Sequence, residues 1–175
     1  LLIYMLNLKN DQNEINFNEL NNKNLEIDQI INDLNKYLCI HIKKQIEAGA
    51  DVVQIFDSWA GIIPEKDINY YCFLPNLEIV KFCKNLGIPN ICFPKGIGER
   101  YKDFKEIVKP DCISLDSEVD PVWARNNLKN VIIQGGLDPK VLFRSDDEIF
   151  KAATKYIQTF KDTPYIFNLG HGLLP

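Results

Sequence analysis

No run of about 18 or more apolar residues occurs in the chain, which excludes a transmembrane helix of ordinary length. Cysteines in C-x-x-C spacing are absent too. The five cysteines, Cys39, Cys72, Cys83, Cys92 and Cys112, are an odd number. Nothing here resembles a secreted disulfide framework, and buried free thiols in a reducing, cytoplasmic compartment are expected. Basic charge is not in excess: 20 Lys+Arg against 24 Asp+Glu give a formal charge of -4. Such a balance argues against a dedicated nucleic-acid binder. The start lacks the basic residues and small-residue cleavage site of a signal peptide. No internal repeat and no linker-like stretch divides the 175 residues, so a single domain over 1–175, or part of one, is expected. The chain opens at Leu1 rather than Met and closes at Pro175 just after a strand-like run. Both ends look cut through structure, and a fragment of a longer protein is expected.

What is present is ordinary globular material. The chain is 46% hydrophobic and 25% charged, enough apolar residues for a core and too many for disorder. Leu1 to Leu6 is apolar and predicts a buried strand. Asn7 to Asn24 holds eight Asn in 18 residues, a loop composition. Leu25, Ile30, Ile31, Leu34, Leu38, Ile42 and Ile46 follow a period near 3.6 and predict an amphipathic helix that ends near Ala48-Gly49. Val52 to Phe56 predicts a strand buried on both faces. A helix is expected from Pro64, interrupted at Pro75 and resumed to Gly87. Strands then alternate with helices: strand 88–93, helix 99–108, strand 112–115, helix 121–128 with Asp120 as N-cap, and strand 131–133. A Gly135-Gly136 turn follows. The helix over 146–160 carries Ser145 and Glu148 at capping-box spacing, and 165–169 is the last strand.

Six strands alternating with helices mean an α/β fold with a parallel sheet, either open and doubly wound or closed as a barrel. In both, chemistry sits at the carboxyl ends of the strands. Those ends are Tyr4, Asp57-Ser58-Trp59, Lys95-Gly96, Asp116, Gln134-Gly135-Gly136 and Gly170-His171-Gly172. Ser58 by itself suits a helix cap, and Asp57 suits that role better. Lys95-Gly96-Ile97-Gly98 has the look of a phosphate loop but lacks the full pattern, and a strand-to-helix turn explains it more cheaply. Cys39 and His41, two apart on a helix, face different sides and do not make a metal pair. Asp111, Asp116 and Asp120 have no metal-ligand spacing.

Three strings together resemble the uroporphyrinogen decarboxylase family: Gln54 to Gly61 (QIFDSWAG), Gln134 to Pro139 (QGGLDP) and Phe167 to Pro175 (FNLGHGLLP). Pro94-Lys95-Gly96 and Asp120-Pro121 also fall at the family's positions. The resemblance runs the full length of the chain but covers only the carboxyl-terminal half of the family's. It implies a partial (β/α)8 TIM barrel, with about six βα units present here, from a homodimer without metal or organic cofactor. The implied reaction removes carbon dioxide from the four acetates of uroporphyrinogen and leaves coproporphyrinogen. Tyr4 in Ile3-Tyr4-Met5, Ser58 and His171 match the family's substrate-contacting Tyr, Ser and His. Each can bond a substrate carboxylate, by hydroxyl or by ring N–H. Phe56 is expected to pack against the macrocycle, and Lys95 to add to the positive field. The family's Arg-rich motif and its central Asp have no counterpart here. No catalytic residue is therefore expected within these 175 residues, and by themselves they are expected to be inactive.

Two alternatives compete. The related corrinoid-linked methyltransferases bind zinc through His-x-Cys at a strand end and a later Cys. Here Pro89 to Phe93 has no His two before Cys92, and the last strand ends in Gly-His-Gly. The other alternative is a non-catalytic, tetrapyrrole-binding half barrel.

Overall fold

A computed structural model describes residues 2–5 and 24–173. Helix α1 (Leu2–Met5) stands where a strand was expected. A short apolar run does not separate strand from helix, and only hydrophobic content was readable there. Leu1, Leu6 and the Asn-rich segment up to residue 23 lie outside the described residues. Helix α2 (Asn24–Glu47) is the amphipathic helix that the periodicity predicts. Its Ile27 and Ile42 are buried, and Gly49 beyond its end takes a φ of 105°.

The strands are β1 (Val53–Asp57), β2 (Asn90–Pro94), β3 (Cys112–Leu115), β4 (Ile132–Gly135) and β5 (Tyr165–Ile166). Between them run α3 (Leu74–Asn85), α4 (Tyr101–Val108), α5 (Pro121–Asn127) and α6 (Asp146–Phe160). Five strands therefore stand among the described residues where six were expected. Every pairing is parallel, and the spatial order is β1-β2-β3-β4-β5. A doubly wound sheet reverses its order at a switch point. This one never reverses, so the choice falls to the singly wound, barrel type.

One face of the sheet is buried by helices. Val53, Ile55, Cys92, Ile113, Leu115 and Ile133 pack there with the helix side chains. Phe73 and Phe104 anchor that layer edge-to-face at 5.3 Å, a geometry worth about 1 kcal/mol beyond area burial. Residues of the opposite parity look the other way. Phe56, Ile132 and Ile166 are exposed, so β1 is not buried on both faces as expected. It is an edge strand with an open inner face.

Local signals explain most boundaries. The Asp120 Oδ1 accepts the N–H groups of Val122 and Trp123, both at 2.9 Å, a cap worth about 1 kcal/mol. The Glu148 carboxylate accepts the Ser145 N–H at 3.2 Å and its hydroxyl at 2.8 Å. Pro75 does not interrupt a helix. A π-helical turn (Asn69–Phe73) runs straight into α3, and Pro75 sits in the first turn of α3, where the chain passes from the wider π turn to the α-helix. Strand β4 runs on to Gly135, beyond the expected end at Ile133. The last strand is shorter than expected, with Leu169 returning only as a single bridge to Leu137.

The turn after β4 is closely packed. Gly136 has a φ of 94°, and a Cβ there would stand 2.8 Å from Tyr156 Cε1. Gly136→Ala is expected to cost about 2–4 kcal/mol, from backbone strain and overpacking together. Gly172→Ala, with nothing within 4 Å of the new methyl, is expected to stay within about 0.5 kcal/mol. Urea denaturation of both variants checks this, and equal stabilities would contradict it.

Candidate active site

Register brings the strand ends level. Asp57 pairs with Pro94 and Leu115 with Gly135, so Ser58, Lys95, Asp116 and Gly136 follow on one rim. Neighbouring loops meet backbone to backbone there. The Gly61 N–H donates to the Lys95 carbonyl at 2.8 Å, and the Lys95 N–H donates to the Asp57 carbonyl at 3.1 Å. A Cβ at Gly61 would lie 2.7 Å from the Gly96 oxygen. Only glycine allows that approach.

The Gly96 N–H donates to Asp116 Oδ2 at 2.8 Å. A phosphate loop would need that N–H free, so the cheaper turn explanation holds for Lys95-Gly96-Ile97-Gly98. The Tyr101 hydroxyl donates to the same oxygen at 3.0 Å, and the Glu118 N–H donates to Oδ1 at 3.0 Å. Burial, then the Asp116 charge, holds the Tyr101 phenol well above its usual range. On β4, the Gln134 Nε2 donates to Ser114 Oγ at 3.3 Å. The carbonyls of Gly135 and Gly136 accept the hydroxyls of Tyr165 and Tyr156, at 2.7 and 2.6 Å. Burial foremost pushes the Tyr156 phenol up to about 12, so it stays a donor at physiological pH.

The predicted residues are distributed over this rim. Phe56 is 66% exposed on the inner face and meets Phe93 edge-to-face at 6.0 Å. Ser58 is exposed at the end of β1. His171 is exposed on the far side of the sheet, with Nδ1 at 3.3 Å from the Gly172 carbonyl. Four strand steps of about 4.8 Å separate β1 from β5, so Ser58 and His171 belong to opposite sides of the rim rather than to one cluster. Tyr4 lies in α1, and its side chain falls outside the described residues. Among the described residues, no three His, Cys, Asp or Glu side chains come together as a metal site.

The family model described as uroporphyrinogen decarboxylase matches residues 1–175. The chain belongs to the uroporphyrinogen decarboxylase family. Curated uroporphyrinogen decarboxylases agree with that membership. The protein from Orientia tsutsugamushi strain Boryong is 39% identical over all of this chain and 52% of its own length. That of Wolbachia sp. subsp. Drosophila simulans is 41% identical over 84% of this chain and 44% of its own. The Cereibacter sphaeroides strain ATCC 17025 protein is 39% identical over 77% and 40%. The chain thus spans about half the length, or less, of these curated relatives. The match favours the decarboxylases over the methyltransferase alternative.

Several residues of this uroporphyrinogen decarboxylase-family rim escape sequence reasoning. Tyr101, Tyr156 and Tyr165 look like core aromatics, because their partners lie 15 to 30 residues away. Asp57 was expected to cap a helix. Instead it turns toward the helix layer, where the Asn76 Nδ2 donates to its Oδ2 at 3.2 Å. Its neighbours Val53 and Ile55, of the same parity, explain this. A recess of about 720 Å³ lies elsewhere: Asp111, Arg125, Lys129 and Thr163 line it at the amino ends of the strands.

Burial raises the Asp57 carboxyl above its usual range, against the hydrogen bonds from Cys72 and Asn76 that lower it. The folded chain therefore holds the Asp57 proton more tightly than the unfolded chain does. Its contribution to stability is complete below the unfolded pKa and is lost as pH rises through the raised value. Asp57→Asn escapes that loss. The variant's melting temperature relative to wild type is expected to rise between pH 4 and pH 7, and a flat or falling difference would contradict the assignment.

Proposed function

We propose that this chain supplies part of the substrate site of a uroporphyrinogen decarboxylase. The single observation that carries it is the family match over residues 1–175, joined to the exposure of Ser58, Phe56 and His171 along one rim of parallel strand ends. The substrate bears four acetates and four propionates on a flexible tetrapyrrole. At each acetate the bond between methylene and carboxylate breaks, carbon dioxide leaves, and the electron pair passes into a protonated pyrrole. A proton then adds to the methylene, the pyrrole releases the proton it had taken up, and a methyl group remains. The protein's part is to position and to stabilise charge.

Ser58 can donate its hydroxyl to one carboxylate, and Tyr4 takes the same role by family match. When Nδ1 of His171 carries a proton toward the Gly172 carbonyl, Nε2 is the nitrogen left for substrate, and it donates as the imidazolium. Phe56 offers its exposed ring to the macrocycle. Lys95, at the end of β2, adds positive charge to a chain whose net charge is -4. The same proposal includes a single domain belonging to a larger barrel, a homodimer and a reducing cytoplasmic setting. Four buried free thiols, with Cys39 half-buried, support the last.

Release of carbon dioxide from anaerobic uroporphyrinogen by the full gene product tests the reading. His171→Ala is expected to lower kcat/KM by about 10- to 100-fold, and Ser58→Ala by less, the scale of one hydrogen bond to a charged group. Residues 1–175 alone are expected to release none, because the family's Asp and Arg-rich motif have no match in them. A gene product without decarboxylation, or unchanged turnover in both variants, would overturn the proposal.

A further inference from the structure

Asp116 is the most committed polar group of the rim. It is 3% exposed, and its two oxygens take three donors: the Gly96 N–H, the Tyr101 hydroxyl and the Glu118 N–H. A buried carboxylate is tolerated only when its lone pairs are filled in this way. The donors come from the loop after β2, the start of α4 and the loop after β3. One carboxylate therefore ties two strand-end loops to one helix.

The Asp116–Ser117 backbone has a second task. A Cβ at Gly170 would stand 2.5 Å from the Ser117 nitrogen and 2.9 Å from the Asp116 carbonyl carbon. Gly170 is therefore seated directly on this segment. Its own N–H donates to the Leu137 carbonyl at 2.7 Å, which fixes it from the other side. The next residue is His171.

We propose that Asp116 is a positioning residue of the substrate site, holding the Gly96 loop and the Asp116–Ser117 seat so that Gly170 presents His171 at a fixed place on the rim. The inference rests on the reading of His171 as a carboxylate-binding group. Asp116 itself is buried and touches no substrate. Asp116→Asn keeps the shape but turns one acceptor into an NH2 donor, which then faces either Glu118 N–H or the Gly96 and Tyr101 donors. Tyr101→Phe removes one donor and leaves the carboxylate in place. Gly170→Ala presses on the Asp116–Ser117 backbone and lifts the His171 segment, leaving the Asp116 carboxylate chemically unchanged.

Two readouts on the full gene product test this. In hydrogen exchange, Asp116→Asn and, more weakly, Tyr101→Phe are expected to speed exchange about tenfold in peptides covering 94–98 and 168–172, with β3 unchanged. Unchanged protection at 168–172 in both variants overturns the proposal, and so does uniform loss that includes β3. The second readout is a double-mutant cycle on kcat/KM for uroporphyrinogen. Asp116→Asn is expected to cost about tenfold when His171 is present and almost nothing in a His171→Ala background. Gly170→Ala is expected to behave in the same way. Equal losses in both backgrounds overturn the proposal. A wild-type gene product that does not turn over uroporphyrinogen rejects the substrate reading instead, and the exchange result then decides the positioning role.

Discussion

The buried carboxylate of Asp116 is the interaction on which the rim depends. Parallel strands end without a hairpin to close them, and each end releases backbone groups that need partners. Here the partners are the neighbouring loops. Gly61 leans on Gly96, Gly96 donates to Asp116, and Gly170 rests on Ser117. The hydroxyls of Tyr156 and Tyr165 close the turn after β4 from the helix side. Side chains at the strand ends are therefore presented from a fixed backbone rather than from free loops.

The sheet divides its labour by parity. Residues such as Ile113, Leu115 and Ile133 bury one face against the helices. Their opposite-parity neighbours leave Phe56, Ile132 and Ile166 exposed on the inner face. In a singly wound sheet this inner face leads to the same rim that carries Ser58 and His171. That face is mixed: the apolar side chains lie beside the buried Gln134–Ser114 pair. Asp57 shows the rule from the other side. It shares the strand end with Ser58, yet its parity sends it toward Asn76 and the helices.

Much of this was legible in the residues. The alternation of Val-, Ile- and Cys-rich runs with amphipathic stretches located the strands, because parallel sheets bury continuous apolar segments. Asp120, Ser145 and Glu148 announced their helices through capping chemistry that is local in sequence. Ser58 and His171 were singled out because they follow strand-like runs and stand in the family's strings. What was not legible depends on distance or on context. Leu2–Met5 is helical although its apolar string suits either state. Pro75 lies inside a continuous helical run, directly after a π-helical turn that no local sequence pattern marks. The three tyrosine clamps and the commitment of Gly96 to Asp116 join residues far apart in the chain, and no local pattern marks them. The placement of the Tyr4 side chain falls outside the described residues.

The proposed function requires substrate over the carboxyl ends of the strands, although a recess also opens at their amino ends. A crystal structure of the gene product with coproporphyrinogen, the product of the proposed reaction, tests this most directly. The tetrapyrrole is expected over Phe56, with propionates meeting Ser58 and His171. A tetrapyrrole seated beside Arg125 and Lys129, at the amino ends, would contradict it.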